Sequence, residues 1–213
     1  MILVHASPKT LAPYRTENLG VLCSPRCVYA DDIQEWPWAA DNDAYLAWNE
    51  EKYVAMLDRI TGRTGCIFVT APDVVGDSGM TRELFAMWAP TLRDRELPIA
   101  FVAQDGEKIG TVPWDSIAAL FIGGTTEFKM GSDAADLIRA GKDRGKWVHM
   151  GRVNSYERSR YAQWLGCDSI DGTQFSWFRD TKLPAHLNSL KQEMFAEAAL
   201  ATSEQARVEE GAK

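Results

Sequence analysis

Short apolar runs recur along the chain, and each stops at a cluster of polar or small residues. Ile2 to Val4 ends at Ala6-Ser7-Pro8, Leu19 to Cys23 at Ser24-Pro25, and the run through Trp36-Pro37-Trp38-Ala39-Ala40 at Asp41-Asn42. Cys66 to Ala71 ends at Pro72-Asp73, Pro98 to Ala103 at Gln104-Asp105-Gly106, and Ala118 to Ile122 at Gly123-Gly124-Thr125-Thr126-Glu127. Trp147 to Met150 ends at Gly151, and Cys167 to Ile170 at Asp171-Gly172. Runs of this length, bounded by turn residues, read as buried strands. Between them the apolar positions change to helical spacing. Tyr45, Trp48, Tyr53, Met56, Leu57 and Ile60 predict a helix over 45–60; Leu84, Phe85 and Trp88 predict one over 78–92; a third spans 133–140. After Asn154 or Ser155 as cap, Tyr156, Tyr161, Trp164 and Leu165 fall near one helical face, and Gly166 closes that helix.

Eight strands, most alternating with helices, are the pattern of an α/β fold, a compact (β/α)8 barrel of the TIM type. At 213 residues some helices must be short or missing, most plainly between the first strands and after Gln104. An open doubly wound sheet is the alternative; no dinucleotide-binding glycine fingerprint supports it. The barrel is read as one domain over 1–200, closed by a last helix that packs Leu187, Leu190, Met194 and Phe195. The Ala- and Glu-rich stretch 201–213 is expected to fray.

Composition narrows the class. With 46% hydrophobic and 25% charged residues the chain reads as an ordinary globular domain, and no apolar stretch approaches membrane-spanning length. The start, Met1-Ile2-Leu3-Val4-His5, lacks the features of a signal peptide, so a cytoplasmic location is expected and no membrane partner. Cys23, Cys27, Cys66 and Cys167 read as reduced structural thiols, since only the first two are close and no second pair completes a zinc site. A net charge of −7 disfavours non-specific coating of nucleic acid. Arg139, Lys142, Arg144, Lys146, Arg152, Arg158 and Arg160 could still form a local basic face, although solvated helix sides are the plainer reading.

The chemistry collects at strand ends. Asp41, Asp73, Gln104, Gly123, Gly124, Glu127, His149, Gly151 and Asp171 converge if the strands close a barrel, because ligands bind beyond the carboxyl ends of parallel strands. Carboxylates, an amide and glycines that admit a close backbone approach suit a planar, hydrogen-bonding ligand. Paired carboxylates also suit cleavage of a glycosidic bond. Singly, each has an ordinary explanation: Asp171-Gly172 and Asp73 as turns, Asp41-Asn42 as a cap for a helix starting near Ala44, His149 and Met150 as core.

The stretch His149-Met150-Gly151, a helix, then Gly166-Cys167-Asp168-Ser169-Ile170-Asp171 resembles the late-barrel segment of tRNA-guanine transglycosylases, the queuine tRNA-ribosyltransferases. Asp41-Asn42-Asp43-Ala44-Tyr45 is similar to that family's Asp-Ser-Gly-Gly-aromatic segment, and Val102-Ala103-Gln104-Asp105-Gly106 to its base-contacting strand. The resemblance runs in order from Trp36 to Thr173. It implies Asp171 as nucleophile and Asp41 as acid/base. It further implies Asp73, Gln104 and the Gly123-Gly124 backbone as readers of a purine edge, with Tyr45 and Met150 on the two faces of the ring. The family's zinc cysteines and histidine have no counterpart after Cys167, so no metal or other cofactor is implied. The short chain is most similar to compact phage and bacterial relatives that insert 7-deazaguanine bases into DNA. DNA rather than tRNA, and a 7-deazaguanine base, are therefore the expected partners. A purine N-glycosidase or nucleoside hydrolase with the same carboxylates and a non-catalytic purine-binding barrel remain the alternatives, and Gly123-Gly124-Thr125-Thr126 could instead form a phosphate nest.

Overall fold

A computed structural model describes residues 1–46 and 48–190 of the chain. Strands β1 (Ile2–Val4), β2 (Leu19–Cys23), β3 (Trp38–Ala40), β4 (Cys66–Thr70), β5 (Ile99–Ala103), β6 (Ala119–Ile122), β7 (Trp147–Met150) and β8 (Ser169–Asp171) pair in chain order, all parallel, and close on themselves. The closing ladder sets Leu3 opposite Asp171. This is a (β/α)8 TIM barrel, as the strand pattern predicts.

The helices are α1 (Pro8–Leu11), α2 (Glu50–Ile60), α3 (Ser78–Arg93), α4 (Thr126–Met130), α5 (Ser132–Asp143), α6 (Tyr156–Trp164) and α7 (Thr173–Trp177), followed by helical backbone over 179–190. The connection after β1 holds the single turn of α1 and a 3-10 turn at Ala12–Tyr14, and 3-10 turns at Ile109–Thr111 and Trp114–Ser116 stand in for a helix after Gln104. Both gaps lie where the short chain predicts them. Met194, Phe195 and 201–213 lie outside the described residues; Leu187 is buried and Leu190 packs against the core.

Two apolar layers follow from the two-residue period of a strand. Leu3, Leu22, Ala39, Phe68, Ala100, Val102, Ala119 and Phe121 face inward and fill the lumen. Their sequence neighbours, among them Val4, Val21, Val69, Phe101, Leu120, Val148 and Met150, face outward and meet the helices. The inward series continues past the strand ends to Asp41, Gln104, Gly123, Gly151 and Asp171, which is why polar residues gather above this plug.

Two helices differ from their predicted form. The second begins at Glu50, not near Ala44, because the Asn49 side chain caps it by accepting from Lys52 N (2.9 Å). Asn42 is no helix cap: its Oδ1 accepts from Ala44 N (2.7 Å) in a local turn. In α6 the buried side is Ser159 and Ala162, with Leu165 just beyond, while Tyr156 and Trp164 are exposed. Tyr161 packs partly buried against the core, so the predicted face is split between the two sides of the helix.

The proposed basic face disperses. Arg139 pairs with Asp136, Lys142 with Asp168, Arg144 lies over Trp114, and Lys146 donates to Ile117 O. These four belong to the end of α5 and the approach to β7, at the amino-terminal end of the barrel strands. Of the seven, only Arg152 lines the cleft at the other end.

Candidate functional site

A cleft at the carboxyl ends of the strands is lined by Asp41, Asn42, Tyr45, Asp73, Val75, Val102, Gln104, Phe121, Gly123, Gly124, Arg152 and Asp171. Asp171 ends β8 with its carboxylate held from two sides. His149 Nε2 lies 2.9 Å from Oδ2, and Arg152 N donates to Oδ1 over 3.2 Å. His149 is fully buried and tilted against the rings of Phe68 and Phe121, 5.2 and 4.5 Å away between centroids.

Across the cleft, Asp41 follows β3. Its Oδ1 accepts from Asn42 N (2.8 Å) and lies 3.5 Å from Thr70 Oγ1. Beside it, Asp73 is clamped by two amides: Asn42 Nδ2 donates to one oxygen over 2.7 Å and Gln104 Nε2 to the other over 2.5 Å. Each amide is itself fixed, Asn42 Nδ2 also donating to Ala71 O (2.7 Å) and Gln104 Oε1 accepting from Gly76 N (2.9 Å). The Asp73 carboxylate is thereby rigid and retains free lone pairs for donors on a ligand.

The floor beside Asp73 is backbone. A Cβ on Gly123 would stand 2.8 Å from both Gln104 Nε2 and Val102 Cγ1; one on Gly124 would stand 2.5 Å from Asp105 Oδ2, at a φ of +72°. Gly123 N–H is spent in the ladder to Ala103 O (2.9 Å), so Gly124 N–H is the donor this pair can offer. Asp105 fixes the turn by accepting from Thr125 N (2.8 Å) and Thr125 Oγ1 (2.5 Å).

Arg152 crosses the mouth. Its backbone is left-handed (φ 56°), its Nη2 donates to Gly124 O, and its guanidinium carbon lies 3.9 Å from the centre of the Tyr45 ring. Beneath it the buried Lys129 donates to Gly151 O (2.9 Å). Burial and the nearby Arg152 charge push that ammonium down to about 8.

The three carboxyls differ in ionisation. Burial raises Asp41, and the charge of Asp171 raises it further. Burial also works on Asp171, but the hydrogen bond from His149, together with the field of His5 and the Arg152 N–H, outweighs it, leaving this group below the usual carboxylate range. Burial lifts Asp73 to about 6, against the opposing bonds from Asn42 and Gln104. A pair of carboxyls driven in opposite directions is the arrangement that separates an ionised group from a proton carrier.

Asp41, Tyr45, Asp73, Gln104, Gly123, Gly124 and Asp171 come together as the sequence predicts. Three candidates do not join them as ligand contacts. Met150 points outward into the layer between barrel and helices, because Trp147, His149 and Gly151 take the inward positions of β7, so it cannot cover a ring in the cleft. Glu127 is exposed in the first turn of α4 and borders a separate surface cleft with Asp105 and Thr125. His149 reaches the cleft only through Asp171. Gly151 serves by omission, since a Cβ there would stand 2.5 Å from the Phe121 ring. Arg152 and Asn42 are cleft-lining side chains that the strand-end pattern misses. Both follow directly after a strand-end residue, which is the signal that could have found them.

Among the described residues no group of three or more His, Cys, Asp or Glu side chains is arranged to hold a metal ion, and no helix is long and apolar enough to cross a membrane. No family model and no curated protein matches the chain. Solved structures of similar fold include 3-hexulose-6-phosphate synthase from Salmonella typhimurium, 11% identical over 80% of this chain and 86% of that one, with a TM-score of 0.49. Another 3-hexulose-6-phosphate synthase aligns at 11% identity over 80% and 87%, with a TM-score of 0.47. The PaMucR phosphodiesterase in complex with c-di-GMP aligns at 14% identity over 65% of this chain, with a TM-score of 0.41, and the match spans 60% of that protein.

Proposed function

We propose that the chain is a base-exchanging N-glycosyltransferase that replaces guanine in DNA with a 7-deazaguanine base. The observation that carries this reading is the cleft shared by Asp41 and Asp171, two carboxyls shifted in opposite directions, beside the fixed polar groups of Asp73, Gln104 and Gly124. In this reading Asp171 is the nucleophile. It attacks C1′ of the target nucleotide, and the C1′–N9 bond breaks as the aspartyl–sugar bond forms, while Asp41 gives its proton to the departing guanine. The incoming base then loses its N9 proton to Asp41, N9 bonds to C1′, and the ester to Asp171 breaks.

Recognition follows from the same residues. The guanine edge presents N1–H and N2–H donors to the Asp73 carboxylate, and O6 accepts from Gln104 Nε2 and Gly124 N–H. Tyr45 stacks on the ring through the face that Arg152 leaves uncovered. A nucleotide in duplex DNA must leave the stack to bring C1′ to Asp171.

The test supplies labelled guanine and, separately, 7-cyano- or 7-aminomethyl-7-deazaguanine, with duplex DNA, single-stranded DNA or tRNA. Label entering DNA, and absent with Asp171→Ala, supports the reading. Release of free guanine without incorporation replaces it with hydrolysis by the same carboxyls.

A further inference from the structure

We infer that Trp147, Ser169 and His149 form a one-way hydrogen-bond relay inside the barrel that orients Asp171, making His149 and Ser169 positioning residues. The direction follows from what each group can donate. Trp147 Nε1 carries a proton and no lone pair, and it lies 2.8 Å from Ser169 Oγ, so that oxygen accepts. The single hydroxyl proton of Ser169 is then directed at His149 Nδ1, also 2.8 Å away. A nitrogen that accepts leaves the ring proton on Nε2, which donates to Asp171 Oδ2 over 2.9 Å. Every donor and acceptor in the series is matched by this one assignment. An imidazolium would donate from both nitrogens and strand the Ser169 proton without an acceptor among these groups.

Burial makes the assignment costly to violate. Ser169 is 1% exposed and His149 0%, so an unmatched proton or lone pair there has no water to turn to. The rings of Phe68 and Phe121 hold the imidazole in its plane. The relay runs up the inward face of β7 and β8, in register at His149 and Ser169. It ends on the oxygen opposite the one that Arg152 N binds, so both carboxylate oxygens are fixed. The charged and titratable groups around Asp171 are His5 after β1, Asp41 after β3, Lys129 on α4, His149 on β7, and Arg152.

The inference rests on Asp171 being the reacting group, but its test needs no substrate. Nitrogen-15 spectra of the full chain report which imidazole nitrogen carries the proton, with the His149 signal assigned by its loss in His149→Gln. The relay predicts a single neutral Nε2–H form at neutral pH. In Ser169→Ala the His149 Nδ1 resonance shifts as its donor is removed, and the carbon-13 carboxyl titration of Asp171 moves up. A proton on Nδ1, a doubly protonated ring at neutral pH, or an Asp171 midpoint unmoved in Ser169→Ala overturns the relay. Absence of base exchange with the Nε2–H form intact overturns the proposed activity alone.

Discussion

Arg152 and Tyr45 stack across the mouth of the cleft, the guanidinium carbon 3.9 Å from the ring centre, while Nη2 of the same arginine binds Gly124 O. One side chain thus ties the aromatic wall to the backbone floor. The guanidinium covers one face of that ring and holds its orientation, leaving the other face for a base. Arg152→Ala is therefore expected to weaken binding of a guanine-type base about fivefold, the equivalent of ~1 kcal/mol, with little change in thermal stability. Calorimetric titration with free base checks this, and unchanged affinity contradicts the brace.

The opposed carboxyls set a pH dependence. In the proposed reaction, base departure needs Asp171 ionised and Asp41 protonated. Asp171 lies below the usual range, so it is ionised wherever the protein is folded near neutrality; Asp41 lies above it. The rate of the first step should fall as pH rises through the raised Asp41 value. Asp41→Asn should lower the rate by about 100-fold or more and remove that limb from the profile. A profile with the same limb in Asp41→Asn assigns it to another group.

Asp73 predicts a stability effect independent of any activity. Its folded value, about 6, exceeds the ordinary 3.8, so the folded state binds the proton more tightly. The associated stability is fully present below about pH 4 and is lost as pH rises through about 6, by up to about 3 kcal/mol. Asp73→Asn sets an amide against the amides of Asn42 and Gln104 and is less stable at any pH. The readout is the slope: denaturant midpoints of the parent should fall between pH 4 and 6 relative to those of the variant. Parallel curves contradict the assignment.

Gly124 offers a steric test. Alanine there meets Asp105 Oδ2 at 2.5 Å and Phe128 Cδ1 at 2.8 Å, in a backbone region unfavourable to any side chain. Gly124→Ala should cost about 2 kcal/mol or more and displace the Thr125 turn. Gly145, also left-handed (φ 65°) but with open space about it, should lose only about 1 kcal/mol on the same change. Equal losses at the two sites would falsify the packing argument.

Most of the barrel was legible because each strand stops at a residue that cannot continue it, and the lining of the cleft followed because those stops share one end of a parallel sheet. Facing was harder. Met150 sits between His149 and Gly151, whose inward direction is set by the contacts of His149 with Asp171 and Ser169 and by no local pattern. Aromatic spacing carries the predicted helix back through Tyr45, whereas Asn42 and Asn49 split the segment into a turn and a cap. Asp43 takes a left-handed backbone (φ 61°) in a segment where the resembled motif has glycines, and it is held there by two bonds of 3.0 Å from the Arg26 guanidinium. That partner comes from the loop after β2, 17 residues away, and no local pattern announces it.

If Asp171 attacks the sugar, the covalent aspartyl–sugar state can be captured. The protein is mixed with DNA in the absence of an acceptor base, denatured, digested and sized by mass spectrometry. The expected result is a protein–DNA adduct whose mapped attachment is Asp171, released on adding a 7-deazaguanine base and absent from Asp171→Asn. An attachment mapped to any other residue, or base turnover in Asp171→Asn, contradicts it.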